Sequence, residues 1–185
     1  TSPNNPTGAC YSDEEMNSLA EIVKENDLFL CADEVYREFA YETPLRSVLQ
    51  IPGLEEHAIV IDSVSNRYSA TGARVGARVC RTLDILAGVD RVAKLRLSPP
   101  GLGQMLSECM LQDDTAYLAG VKDNYQMRRD TVYHRLQEMP GVFSYRPGGA
   151  FYCFARFPIT DSEDFCRWLL EDFEHEGATV MLAPG

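Results

Sequence analysis

Three short stretches carry residue types that could do chemistry together. The first is Asn4-Asn5-Pro6-Thr7-Gly8, whose amides and hydroxyl could meet a polar ligand, although Asn, Pro and Gly also build turns for backbone reasons alone. The second is Asp33-Glu34-Val35-Tyr36. A carboxylate directly after an apolar strand can cap a helix or sit in solvent. It can equally hold a cationic ring nitrogen, with the Tyr36 hydroxyl turned into the same cleft. The third runs from Ser63 through Ser65, Asn66 and Arg74 to Gly76. Hydroxyls and backbone N–H groups can nest an anion there, and an arginine can close the nest with charge-assisted bonds. A polar surface loop would explain the composition of this stretch, but not the concentration of Ser, Gly and Arg beside a buried strand.

These stretches need elements to hold them at strand ends, where open α/β sheets bind ligands. Ser12 and Glu15 form a capping-box pattern, and Met16, Leu19, Ala20, Ile22 and Val23 recur at helical spacing, which predicts a helix over 13–26. Leu28 to Ala32 reads as a strand buried on both faces and ending in Asp33. Ile59-Val60-Ile61 reads as a second strand that delivers Asp62 and Ser63, and 75–80 as a third. Helices are expected over 103–111 and 115–139, with a break at Gln112-Asp113-Asp114. A hairpin pairs 142–145 with 150–157, a capped helix follows over 162–175, and 178–182 reads as a strand. The class is α/β, with an appended α+β tail.

Composition narrows the partners. The 185 residues carry a formal net charge of -11, which repels phosphate backbones and anionic membranes alike. No apolar run approaches the roughly 20 residues needed to span a bilayer. Six scattered cysteines, with no C-x-x-C pair, fit buried thiols in a reducing, cytoplasmic setting and give no metal site. The turn at Ser2-Pro3-Asn4-Asn5-Pro6-Thr7-Gly8 and the turn at Ala183-Pro184-Gly185 lead us to expect an internal stretch of a longer protein.

In order and spacing, the three stretches resemble the fold-type I, class I/II aminotransferases, nearest the bacterial aspartate aminotransferase-like branch. The resemblance extends through Arg128-Arg129-Asp130 and Pro147-Gly148-Gly149-Ala150-Phe151-Tyr152. It implies part of a large domain over 1–112 that binds pyridoxal 5′-phosphate on a mostly parallel sheet with flanking helices. A long connecting helix over 113–140 and part of a small α+β domain over 141–185 would follow. It implies amino-acid and 2-oxo-acid substrates and a homodimeric full-length protein.

Roles follow from the resemblance position by position. Asn5 and Tyr36 match residues that contact the cofactor's ring oxygen. Asp33 matches the aspartate that keeps the pyridine nitrogen protonated, and Ser63, Ser65 and Arg74 match the phosphate-binding set. Asn66 is the departure. It stands where the family carries the lysine that forms the Schiff base and shuttles the proton, and asparagine can do neither. The family's upstream phosphate loop and ring-stacking aromatic would precede Thr1, and its carboxylate-gripping arginine would follow Gly185. The chain as written is therefore expected to be inactive in transamination. The other readings are a different cofactor-dependent reaction on the same scaffold, such as C–S lysis, and a non-catalytic cofactor-binding or interaction protein.

Overall fold

The computed structural model describes residues 1–185 apart from Thr43, Asp113 and Asp114. Helix α1 (Asp13–Glu25) starts as its sequence dictates. Ser12 Oγ accepts from the Glu15 N–H and the Glu15 carboxylate accepts from the Ser12 N–H at 2.8 Å. Three acidic residues in its first turn and Lys24 in its last complement the helix dipole. Its buried residues, Ala20 and Val23, join Val48, Ile51, Leu54, Ala58 and Val60 in one apolar cluster.

That cluster seats a three-stranded sheet in the order β1 (Leu30–Asp33), β2 (Ala58–Ser63), β3 (Gly76–Cys80). Strands β1 and β2 run parallel, with Asp33 opposite Ile61, and β3 returns antiparallel with Gly76 opposite Ser63. The sheet described here is thus mixed, with one parallel and one antiparallel pair. Strand β1 is not buried on both faces as its sequence suggests. Leu30 and Ala32 pack on the cluster, while Cys31 is exposed and Phe29, just before the strand, is 59% exposed. Among the described residues, α1 with the 48–54 turn covers one face of it, which is the face that Leu30 and Ala32 share.

Beyond the sheet come α2 (Val64–Arg67), α3 (Leu83–Lys94), α4 (Gly101–Gln112) and α5 (Thr115–Gln137). The sequence reading does not assign α3; Thr82 makes no side-chain cap and none of its residues is buried. The expected break between α4 and α5 falls partly on Asp113 and Asp114, outside the described residues.

The hairpin is shorter than expected. Strand β4 (Phe143–Ser144) pairs antiparallel with β5 (Ala155–Arg156), and residues 145–154 leave the ladder between them. They leave because the turn after β1 captures them: Tyr41 N–H donates to the Gly148 carbonyl at 3.0 Å and Ala150 N–H to the Phe39 carbonyl at 3.0 Å. Helix α6 (Ser162–Glu171) is capped by Asp161 and stops before the expected end at 175. The expected strand over 178–182 does not form; Ala178 makes a single bridge with His175 and pairs with no strand edge.

Candidate active site

Both members of the parallel pair end on the same side, so Asp33 and Ser63 leave the sheet together. At the end of β1, Asp33 Oδ1 accepts from the Val35 N–H at 3.2 Å and its carbonyl from the Ser2 N–H at 3.3 Å. The neighbouring Glu34 goes inward. It is 5% exposed and accepts from Ser47 Oγ and the Val48 N–H, both at 2.9 Å, and from Arg37 at 2.8 Å. Alternation along the strand end therefore gives one carboxylate to the site and one to the fold.

Tyr36 follows, buried against Phe151 and Tyr152 in edge-on contacts, with its hydroxyl 2.6 Å from that of Tyr152. Burial pushes its pKa up to about 12, and the Tyr152 hydroxyl and the Asp33 charge add to the rise. The Asn5 side chain, near the same hydroxyl, works the other way. Asn5 is presented by a tight turn in which Asn4 Oδ1 accepts from the Thr7 N–H and hydroxyl, and Gly8 adopts φ 71. Asn5, Asp33 and Tyr36 are thereby brought together.

At the end of β2, Ser63 caps α2 by accepting from the Ser65 N–H at 3.0 Å, and the two hydroxyls lie 2.9 Å apart. Asn66 sits one residue on, half-buried within α2. Arg74 is held in the left-handed region at φ 56, but its guanidinium donates to the Thr71 carbonyl at 3.0 Å and faces solvent. It is near in sequence to the serine pair without bonding it. Behind this loop, α4 comes so close that a Cβ at Gly103 would fall 2.1 Å from the Ala73 carbonyl oxygen.

Three features escape sequence reasoning. Arg67 is bound to Asp62 at 2.7 Å and reaches Glu38 at 3.7 Å, and Arg37 joins the same group. Glu34 and Tyr152 are likewise invisible as partners, because each depends on residues distant in the chain. The signal that could have found Tyr152 is its place in an aromatic run after Pro147-Gly148-Gly149, a run with no room on a plain hairpin.

The donor set suits a phosphorylated pyridine: hydroxyls and a guanidinium for an anion, a carboxylate for a ring cation, and an amide with a phenol for a ring oxygen. It offers no amine. Lys24 lies over Gly53, Lys94 pairs with Asp90 at 2.6 Å on α3, and Lys122 is on α5. A family model described as "Aminotransferase class I and II" matches residues 1–175. The chain belongs to the class I and II aminotransferases.

Members of this family depend on pyridoxal phosphate, in keeping with the donor set. The chain is 33% identical to a putative aminotransferase, YugH, of Bacillus subtilis, covering 91% of this chain and 44% of that one. It is 34% identical to a probable N-acetyl-LL-diaminopimelate aminotransferase of the same organism, over 99% of this chain and 45% of the relative. Among solved structures, an aspartate aminotransferase double mutant of Thermus thermophilus superposes with a TM-score of 0.85 at 30% identity, over 92% of this chain and 45% of that one. The chain spans about half the length of the relatives it matches. Among the described residues, no helix is long and apolar enough to cross a membrane.

Proposed function

We propose that the full-length protein binds pyridoxal phosphate on the residues gathered here, on a scaffold built for moving an amino group from an amino acid to a 2-oxo acid. With Asn66 it would hold the cofactor without a covalent anchor and would not transaminate. One observation supports this reading: Tyr36, Asn5 and the Asp33 charge meet after β1, while at the end of the neighbouring parallel strand β2 the Ser63–Ser65 hydroxyl pair caps the short helix that bears Asn66.

When bound, the cofactor supplies an electron sink for bonds at a substrate's α-carbon. The protein's own residues do the rest. The Asp33 carboxylate keeps a proton on the ring nitrogen. Tyr36 and Asn5 orient the ring through its oxygen. Ser63 and Ser65 take the phosphate, and Arg74 must swing from the Thr71 carbonyl to close over it. Asn66 can donate or accept a hydrogen bond at the reacting centre but cannot carry a proton away. Arg67 does not replace it, because guanidinium stays protonated and Asp62 and Glu38 hold it.

The first substrates to test are aspartate and glutamate, following the aspartate aminotransferases among the relatives. We also retain a cytoplasmic setting, which six free thiols support, and a homodimer, which follows from the family resemblance. A division into a cofactor-binding part over 1–112, a connecting helix and a small-domain part from 141 is supported by the 23-residue length of α5.

The test is cofactor binding by the full-length protein, followed by borohydride treatment and gel filtration. Bound cofactor that stays unfixed is the expected result. A fixed adduct at another residue contradicts the reading. Absence of binding favours the second reading, a non-catalytic interaction protein, to which Asn66 itself points.

A further inference from the structure

We propose that Tyr152 is a positioning residue, which together with Asn5 saturates the Tyr36 oxygen as an acceptor and so commits the Tyr36 proton to a ligand's ring oxygen. The inference rests on the cofactor reading above and extends it to a residue of the chain's last third.

The geometry is that of a filled node. A phenol oxygen has two lone pairs and one proton. The Tyr152 hydroxyl lies 2.6 Å from the Tyr36 hydroxyl, and the Asn5 side chain is placed to donate to the same oxygen. Left alone, the pair of hydroxyls can share a proton in either sense. An anionic oxygen placed before Tyr36 selects one of them: Tyr36 donates outward, and Tyr152 and the Asn5 N–H donate inward to its two lone pairs. Each bond in such a chain polarises the next. The nearby Asp33 charge opposes loss of the Tyr36 proton, so Tyr36 stays a donor.

Tyr152 is well fixed for this task. Its ring lies 5.5 Å from that of Tyr36 at 89° and 5.1 Å from that of Phe151. Ala150, two residues earlier, is 1% exposed and bonded through its N–H to the Phe39 carbonyl. The hydroxyl is thus delivered by a rigid segment.

The experiment uses the full-length protein and two probes. One is 4′-deoxypyridoxine 5′-phosphate, which has the ring nitrogen, phosphate and ring hydroxyl but no aldehyde, so it cannot condense with any amine. The other is the same compound without the ring hydroxyl. Tyr152→Phe should weaken the first probe about three- to tenfold and leave the second unchanged. It should also move the ionisation midpoint of the bound ring hydroxyl, read from ligand absorbance, to higher pH. In a Tyr36→Phe background, Tyr152→Phe should have no further effect on either probe. Equal losses for both probes, or an undiminished effect without the Tyr36 hydroxyl, would overturn the proposal. If the parent protein binds both probes and Tyr152→Phe changes neither, the cofactor reading stands and the Tyr152 role falls. If the parent binds neither probe, both fall.

Discussion

The Arg67 guanidinium lies 2.7 Å from the Asp62 carboxylate, so the cation next to Asn66 is tied to the end of β2. It also reaches Glu38, in the loop after β1, which makes it a tie between the two loops that carry the candidate site. Asn66, proposed above to stand at the lysine position, therefore has a cation as its neighbour, but one already held by two carboxylates.

Restoring the amine is the direct test of that arrangement. Asn66→Lys in the full-length protein should give borohydride-fixed cofactor and measurable amino-group transfer from aspartate or glutamate. The proton-shuttling part of the gain is about 10² to 10⁴ in rate. Fixed cofactor with no transfer from any amino acid would refute the aminotransferase activity while leaving the cofactor site intact.

Adjacent carboxylates should fail in different ways. Asp33→Ala should weaken cofactor binding with little change in melting temperature, because the loop loses only the acceptor for the Val35 N–H and a long, exposed bond from the Thr1 hydroxyl. Glu34→Ala should cost about 2–3 kcal/mol of stability, since it strands Ser47 Oγ and the Val48 N–H and removes the nearest of the carboxylates around Arg37. Thermal unfolding and probe titration on both variants separate the two; the same loss of affinity in each would show that the site has been misplaced.

Gly103→Ala should disturb the loop that carries Arg74, proposed above to close over the phosphate, from behind. The added methyl would meet the Ala73 carbonyl, a backbone atom next to Arg74, and cannot be relieved by a rotamer change. A loss of about 1–3 kcal/mol is expected, together with weaker binding of the phosphorylated probe. Parental affinity and stability in this variant would mean that α4 does not support the loop.

Alkaline titration should show Tyr36 as a late phenol. Its pKa is raised from 10.0 to about 12, chiefly by burial, so folding favours the protonated form. The stability this contributes is complete below the unfolded value and is lost as pH rises through about 12. Comparing phenolate absorbance of the parent and of Tyr36→Phe should place the missing step near pH 12; a missing step near pH 10 would contradict the buried placement.

How much of this was legible depended on whether the determinant was local. The start of α1 is written in Ser12 and Glu15, and the strand ends are marked by apolar runs meeting Asp33 and Asp62-Ser63. The turn residues Asn4 to Gly8 likewise announce themselves. What stayed hidden required a partner far along the chain. Phe143 and Arg156 pair as a hairpin should, yet the apolar residues between them belong to a cluster with Phe39 and Tyr36. Helix α3 was legible in principle, since Leu83, Leu86, Val89 and Val92 recur at helical spacing with Asp84 in its first turn and Arg91 and Lys94 in its last, although no side-chain cap marks its start. Even the serine and arginine of the third stretch, correctly placed on one loop, gave no hint that Arg74 would be turned onto Thr71.

The braid of the opening turn with the late loop also has a consequence for synthesis. The Gly8 carbonyl accepts from the N–H groups of both Gly148 and Gly149, and the Tyr145 hydroxyl donates to the Thr7 carbonyl. The turn that presents Asn5 is therefore closed by residues some 140 positions downstream, a non-local contact of the kind that slows folding. On the ribosome, α1 and the β1–β2 pair can form early, but the Asn5 turn must wait until the Pro147-Gly148-Gly149 segment has emerged. A nascent chain arrested before that segment would carry every residue of the β2 loop and still lack the finished Asn5–Tyr36 side of the cleft.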